Sequence, residues 1–131
     1  MKNILKLTPY QASILADRPE CCVEQSLFDQ VVPLTKEDEQ SIRQAVARLP
    51  ELLGETYGPS KITYKPRPID VDLLTVVERA ALLDCWEGST IDRMVYEWID
   101  DPLAVSRLRR SMVALHGKLQ AVGFNPSPVW F

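Results

Sequence analysis

The sequence predicts a mainly α-helical protein, a compact bundle of about five helices with an extended, proline-rich connector near residues 59–70. Three observations carry this prediction. Helix-start signatures crowd between Thr75 and Pro102, apolar residues recur at three- and four-residue steps over 42–49 and 105–122, and strand-like alternation is confined to 61–65. The helices divide a single domain, 1–131, into an N-terminal half (1–54), the connector (55–72), a three-helix unit (73–123) and a tail (124–131).

Thr8 opens the first helix. With Pro9 at the first helical position and Gln11 three residues after the cap, the spacing predicts a short helix to about residue 17. Residues 18–34 hold Pro19 and Pro33 and read as a loop with one helical turn around 24–29. A stronger helix starts at Thr35. Glu37, Asp38 and Glu39 fill its first turn, where they oppose the positive end of the helix dipole, and Ile42, Ala45, Val46 and Leu49 share one face. Glu39 and Arg43 stand one turn apart in the favourable order. Pro50 disturbs the end, and Gly54 suits a left-handed C-terminal cap.

Gly58-Pro59-Ser60 reads as a turn, followed by a short strand and then by the extended Pro66-Arg67-Pro68. Thr75-x-x-Glu78 is a capping box, Ser89-x-x-Asp92 repeats its spacing, and Asp101-Pro102 pairs a cap with a proline at N1. These predict helices over 76–87 (closed by Gly88), 90–99 and 103–122. The first is apolar nearly all round. The second places Ile91, Met94, Val95 and Trp98 on one stripe, with Tyr96 and Ile99 outside it. The last is amphipathic: Val105, Leu108, Met112, Leu115, Leu119 and Val122 face the core, while Arg107, Arg110 and Lys118 lie opposite. Gly123 ends it.

Composition narrows the function classes. At 131 residues, 46% hydrophobic and 25% charged, the chain is an ordinary globular domain rather than a disordered one. A net charge of −3 argues against a general nucleic-acid binder. No stretch approaches the roughly 18 apolar residues of a membrane span. Lys6 and Pro9 interrupt the start where a signal peptide needs its apolar run, so a cytoplasmic location is expected. Cys21, Cys22 and Cys85 form neither a disulfide framework nor a zinc spacing, and His116 is the only histidine. No metal, no cofactor and no catalytic activity are expected. His116 reads as a boundary residue, and Asp70-Val71-Asp72 as the approach to the Thr75 cap.

Two binding readings remain. The first is a small non-catalytic protein-binding module, an adaptor, regulator or inhibitor, using exposed Trp86, Tyr96 and Ile99 with Trp130 of the apolar C-terminus. Arg107, Arg110 and Lys118 form its charged rim. A homodimer through helices 76–99 is one form of it, because residues 76–101 carry seven acids and two bases, whereas residues 102–131 carry four bases and no acid. The alternative is a nucleic-acid-binding regulator with a helix-turn-helix-like C-terminal unit. It would contact phosphates through Arg107, Arg109, Arg110 and Lys118, helped by Lys61, Lys65 and Arg67. The acidic helix before the basic one disfavours it.

Overall fold

The computed structural model describes residues 3–93 and 101–129. They form a mainly α-helical fold with five α-helices and a few short strands. The order is β1 (Ile4–Leu5), α1 (Pro9–Ala16), α2 (Glu20–Gln30), α3 (Lys36–Leu52), β2 (Glu55–Tyr57), β3 (Ile62–Tyr64), β4 (Ile69–Asp70), α4 (Val76–Arg93) and α5 (Pro102–Ala121). A 3₁₀ turn, Val71–Leu73, joins β4 to α4.

The local caps form where their residues stand. The Thr8 hydroxyl accepts from the Gln11 amide at 3.1 Å while the Gln11 side chain accepts from the Thr8 amide at 3.0 Å. Thr35 and Asp38 make the same reciprocal pair at the start of α3, and Thr75 and Glu78 make it at the start of α4. Each box satisfies backbone donors that an α-helix leaves open. Asp101 Oδ1 accepts from the amides of Leu103 and Ala104, with Pro102 at N1. Ile42, Ala45, Val46 and Leu49 of α3 are buried together, and Arg43 meets Glu39 at 2.6 Å. The helix runs two residues past Pro50 before Gly54 turns the chain at φ +71°.

Two expectations need correction. Residues 18–34 contain an eleven-residue helix, α2, in place of a loop with one turn. Pro19 at its N-cap offers no side-chain acceptor, so no start signature marks it. It is held instead by Val23 and Leu27, one turn apart and buried in the core. The second correction concerns Gly88, which ends no helix; α4 passes through Gly88 and Ser89 to Arg93. The Ser89 hydroxyl, expected as a cap, is buried beside the carbonyls of Cys85 (2.7 Å) and Ile14 (3.0 Å). Gly88 serves packing. A Cβ there would stand 2.1 Å from Cδ of Arg18, whose Nε donates to Asp84 Oδ2 at 2.9 Å. Ser26 donates to the other oxygen of Asp84 at 2.6 Å, so one buried carboxylate ties the α1–α2 turn and α2 to α4.

Residues 55–70 carry three of the short strands, β2, β3 and β4. Beta2 and β3 form an antiparallel hairpin across a turn closed by the Gly58 amide and the Lys61 carbonyl, and β4 pairs antiparallel with β1. Asp70-Val71-Asp72 is consumed locally, since Asp70 accepts from the Asp72 amide and Asp72 accepts from Asn3. Helix α4 packs against α1, α2 and α3, and α5 lies against α1. One apolar cluster, running from Leu5 through Leu15, Val46 and Leu82 to Leu115, draws on every helix. Among the described residues no helix is long and apolar enough to cross a membrane.

Candidate protein-binding site

The C-terminal segment lies along a cradle between α4 and α5. Helix α5 ends in a Schellman turn: Gly123, at φ +98°, donates to the Gln120 carbonyl, and Phe124 donates to the Leu119 carbonyl at 3.0 Å. The chain leaves the turn and doubles back. Asn125 and Ser127 each precede a proline, so both are biased away from helix toward extended backbone. Pro126 is buried, and Phe124 and Val129 pack against the core.

Three side chains hold this segment. The Trp86 indole N–H donates to the Ser127 carbonyl at 3.0 Å. His116 Nε2 lies 3.2 Å from the Pro126 carbonyl, an acceptor that places the ring proton on Nε2. Glu87 receives the Ser127 amide on one oxygen at 3.0 Å and the Ser127 hydroxyl on the other. The Trp86 and His116 rings stand 5.8 Å apart at an angle of 53° and form the aromatic floor. Trp86 and Glu87 are neighbours on α4, so one turn of that helix supplies both a donor and a double acceptor.

This geometry corrects the reading of Trp86 as an exposed contact residue. Its accessibility is 0%, and its indole N–H is satisfied within the chain. A buried indole needs such a partner. The signal was available in principle, because residues 126–128 cannot continue a helix and offer free carbonyls. What placed them on Trp86 is a contact between positions 41 residues apart. Tyr96, Ile99 and Trp130 lie outside the described residues.

The basic helix is partly committed to its own chain. The Arg107 guanidinium lies over the Tyr10 ring at 4.2 Å. Lys118 Nζ donates to the Lys6 carbonyl and to Gln11 Oε1, both at 2.7 Å, and so pins α5 to the start of α1. Arg109 and Arg110 are exposed, as are Lys61, Lys65 and Arg67 of the connector. On either side of the arginines of α5, Leu103 and Val113 remain 81% and 57% exposed.

A groove of about 310 Å³ lies between α3 and the start of α4, lined by Ser41, Gln44, Ala45, Arg48, Val77 and Glu78. Arg48 Nη1 meets Glu78 Oε2 at 2.5 Å. Burial pushes the Glu78 carboxyl up, but the Thr75 amide and hydroxyl and the Arg48 guanidinium together hold it below its ordinary value. The Cys85 thiol is pushed up to about 12, chiefly by burial and then by the adjacent Asp84 charge. Cys21 and Cys22 are exposed, and among the described residues no group of three His, Cys, Asp or Glu is placed to hold a metal ion. No protein-family model, curated protein or solved structure matches this chain.

Proposed function

We propose that this chain is a single-domain helical bundle of the cytoplasm that acts by binding another protein, as an adaptor, regulator or inhibitor, without chemistry of its own. The observation that carries the reading is the outer face of α5. Leu103 and Val113 stand exposed on either side of Arg107, Arg109 and Arg110, on a helix whose inner face is already buried. Exposed apolar side chains beside arginine fit a protein interface, where arginine and large apolar residues are enriched. The sequence immediately before this helix adds Met94, Val95, Tyr96, Trp98 and Ile99. Tyr96 and Ile99, with Trp130 at the C-terminus, are the proposed apolar contacts, and Arg110 is the proposed rim. Arg107 and Lys118 contribute less, because each already has an intrachain role. The same commitment weakens the nucleic-acid reading, which needs both for phosphate.

A tagged pull-down from native-host extract, with and without nuclease, tests the proposal. The expected result is a stoichiometric protein that survives nuclease. Recovery of nucleic acid, or of proteins lost on nuclease treatment, would overturn it. Replacing Tyr96 and Ile99 by Asp is expected to abolish capture and to leave the helical circular-dichroism signal intact.

A further inference from the structure

Two exposed apolar patches with surroundings of opposite charge stand on separate elements of this chain. The first is the outer face of α5, where Leu103 and Val113 lie exposed on either side of Arg107, Arg109 and Arg110. Residues 102–131 contain no acid. The second is the turn from α2 to α3. Val32 is 87% exposed there, and Pro33 and Leu34 are exposed beside it. Asp29 precedes this turn and Glu37, Asp38 and Glu39 follow it, with Lys36 the single base among residues 29–39. Glu39 is paired with Arg43, whereas neither Glu37 nor Arg110 has an ion-pair partner among the described residues.

Neither patch covers the other within one chain, since both are exposed. Their elements also pack apart: α5 lies against α1, while α2 and α3 lie against each other and against α4. The two patches can meet only between copies. From these observations we infer that the outer face of α5 binds the α2–α3 turn of a second copy of this chain. Val32 and Leu34 meet Leu103 and Val113, and Glu37 meets Arg110. Charge fixes this pairing. An α5 face set against its own copy would oppose arginine to arginine, and a turn set against its own copy would oppose carboxylate to carboxylate, arrangements that weaken binding. Contact between unlike patches is heterologous. Each pair of copies then keeps one free patch of each kind, and association grows with concentration unless a ring closes. The inference rests on the reading of the α5 face as a protein-binding surface and adds a second copy to what that face binds.

Analytical ultracentrifugation of the full chain, at concentrations up to about 1 mM, is the test. The wild type is expected to show an average mass that rises with concentration. Its association should weaken at least threefold between about 0.1 M and about 1 M salt, where the Debye length falls from about 10 Å to about 3 Å. A mass that stays monomeric, or association indifferent to salt, would overturn the inference. Glu37→Arg and Arg110→Glu then test the pairing. Each alone gives both patches the same charge at these positions and is expected to associate at least tenfold more weakly than the wild type. Mixed in equal amounts, the two are expected to associate again. The Arg110→Glu face then opposes the Glu37→Arg turn, while the unchanged face of one variant meets the unchanged turn of the other. A mixture no better than its parts, or a variant that associates alone like the wild type, would overturn the inference. Both positions are exposed, and an unchanged circular-dichroism signal checks that each variant folds; should one not fold, the wild-type measurements decide. A monomeric chain that captures a different protein would overturn self-association and leave the general binding function standing.

Discussion

Gly88→Ala separates a prediction made from sequence from one made from structure, because the two have opposite signs. A glycine inside a helix costs about 1 kcal/mol relative to alanine, so the substitution taken alone should stabilise α4 by that amount. The structure puts Arg18 in the way. The new Cβ would stand 2.1 Å from Cδ, 2.4 Å from Nη1 and 2.5 Å from Nε of that side chain, all closer than atoms can approach. The Arg18 side chain must move, and Nε then leaves Asp84, a carboxylate only 9% exposed and 2.9 Å away. A charge-assisted hydrogen bond lost at a buried partner costs about 2–3 kcal/mol. Subtracting the helical gain leaves a net destabilisation of about 1–2 kcal/mol, a fall in midpoint of roughly 4–8 °C for a domain of this size. Thermal and urea unfolding of both proteins measure it. The Arg18→Ala background supplies the control: with the obstruction gone, Gly88→Ala should stabilise by about 1 kcal/mol. A Gly88→Ala protein more stable than the wild type in the Arg18 background would refute the reasoning.

Other outcomes follow from the same geometry. Gly54→Ala should destabilise more than Gly123→Ala in denaturant titration. Both glycines have positive φ, at a cost to alanine of about 1–2 kcal/mol, but only at Gly54 would the Cβ also meet backbone, 2.4 Å from the Lys65 carbonyl oxygen. Thr75→Ala should cost about 1–2 kcal/mol by opening the α4 cap, seen as a lower unfolding midpoint. The Glu78 carboxyl is held below its ordinary value, so its contribution is present above the unfolded-state value near 4.5 and is lost as pH falls through the lower folded value. Stability measured against pH should therefore show a shallower loss in that acid window for Glu78→Gln than for the wild type. With Ellman's reagent, Cys21 and Cys22 should react rapidly in the native protein, whereas Cys85, buried and pushed up to about 12, should react only after unfolding.

By itself the sequence determined what neighbouring residues determine. The capping residues Thr8, Thr35, Thr75 and Asp101 act on amides two or three positions away, and Gly54 and Gly123 are needed for backbone angles at their own positions. The stripe of α5 follows from a period that its backbone imposes. Such signals survive without knowledge of the rest of the chain. Tertiary structure decided whatever depends on a distant partner. Helix α2 has no side-chain cap and forms because Val23 and Leu27 find a core to enter. Gly88, which locally resembles a helix end, lies inside α4, where the next residue, Ser89, is buried against the Ile14 carbonyl and Arg18, seventy positions earlier, takes the space a Cβ would fill. Trp86 looks like a surface anchor on its own helix and becomes the floor of a cradle only when residues 126–128 return to it. Apolar burial has no preferred direction, and a hydrogen-bond donor carries no record of where its acceptor lies in the sequence. Only the folded chain supplies those two pieces of information, and the candidate site is made from them.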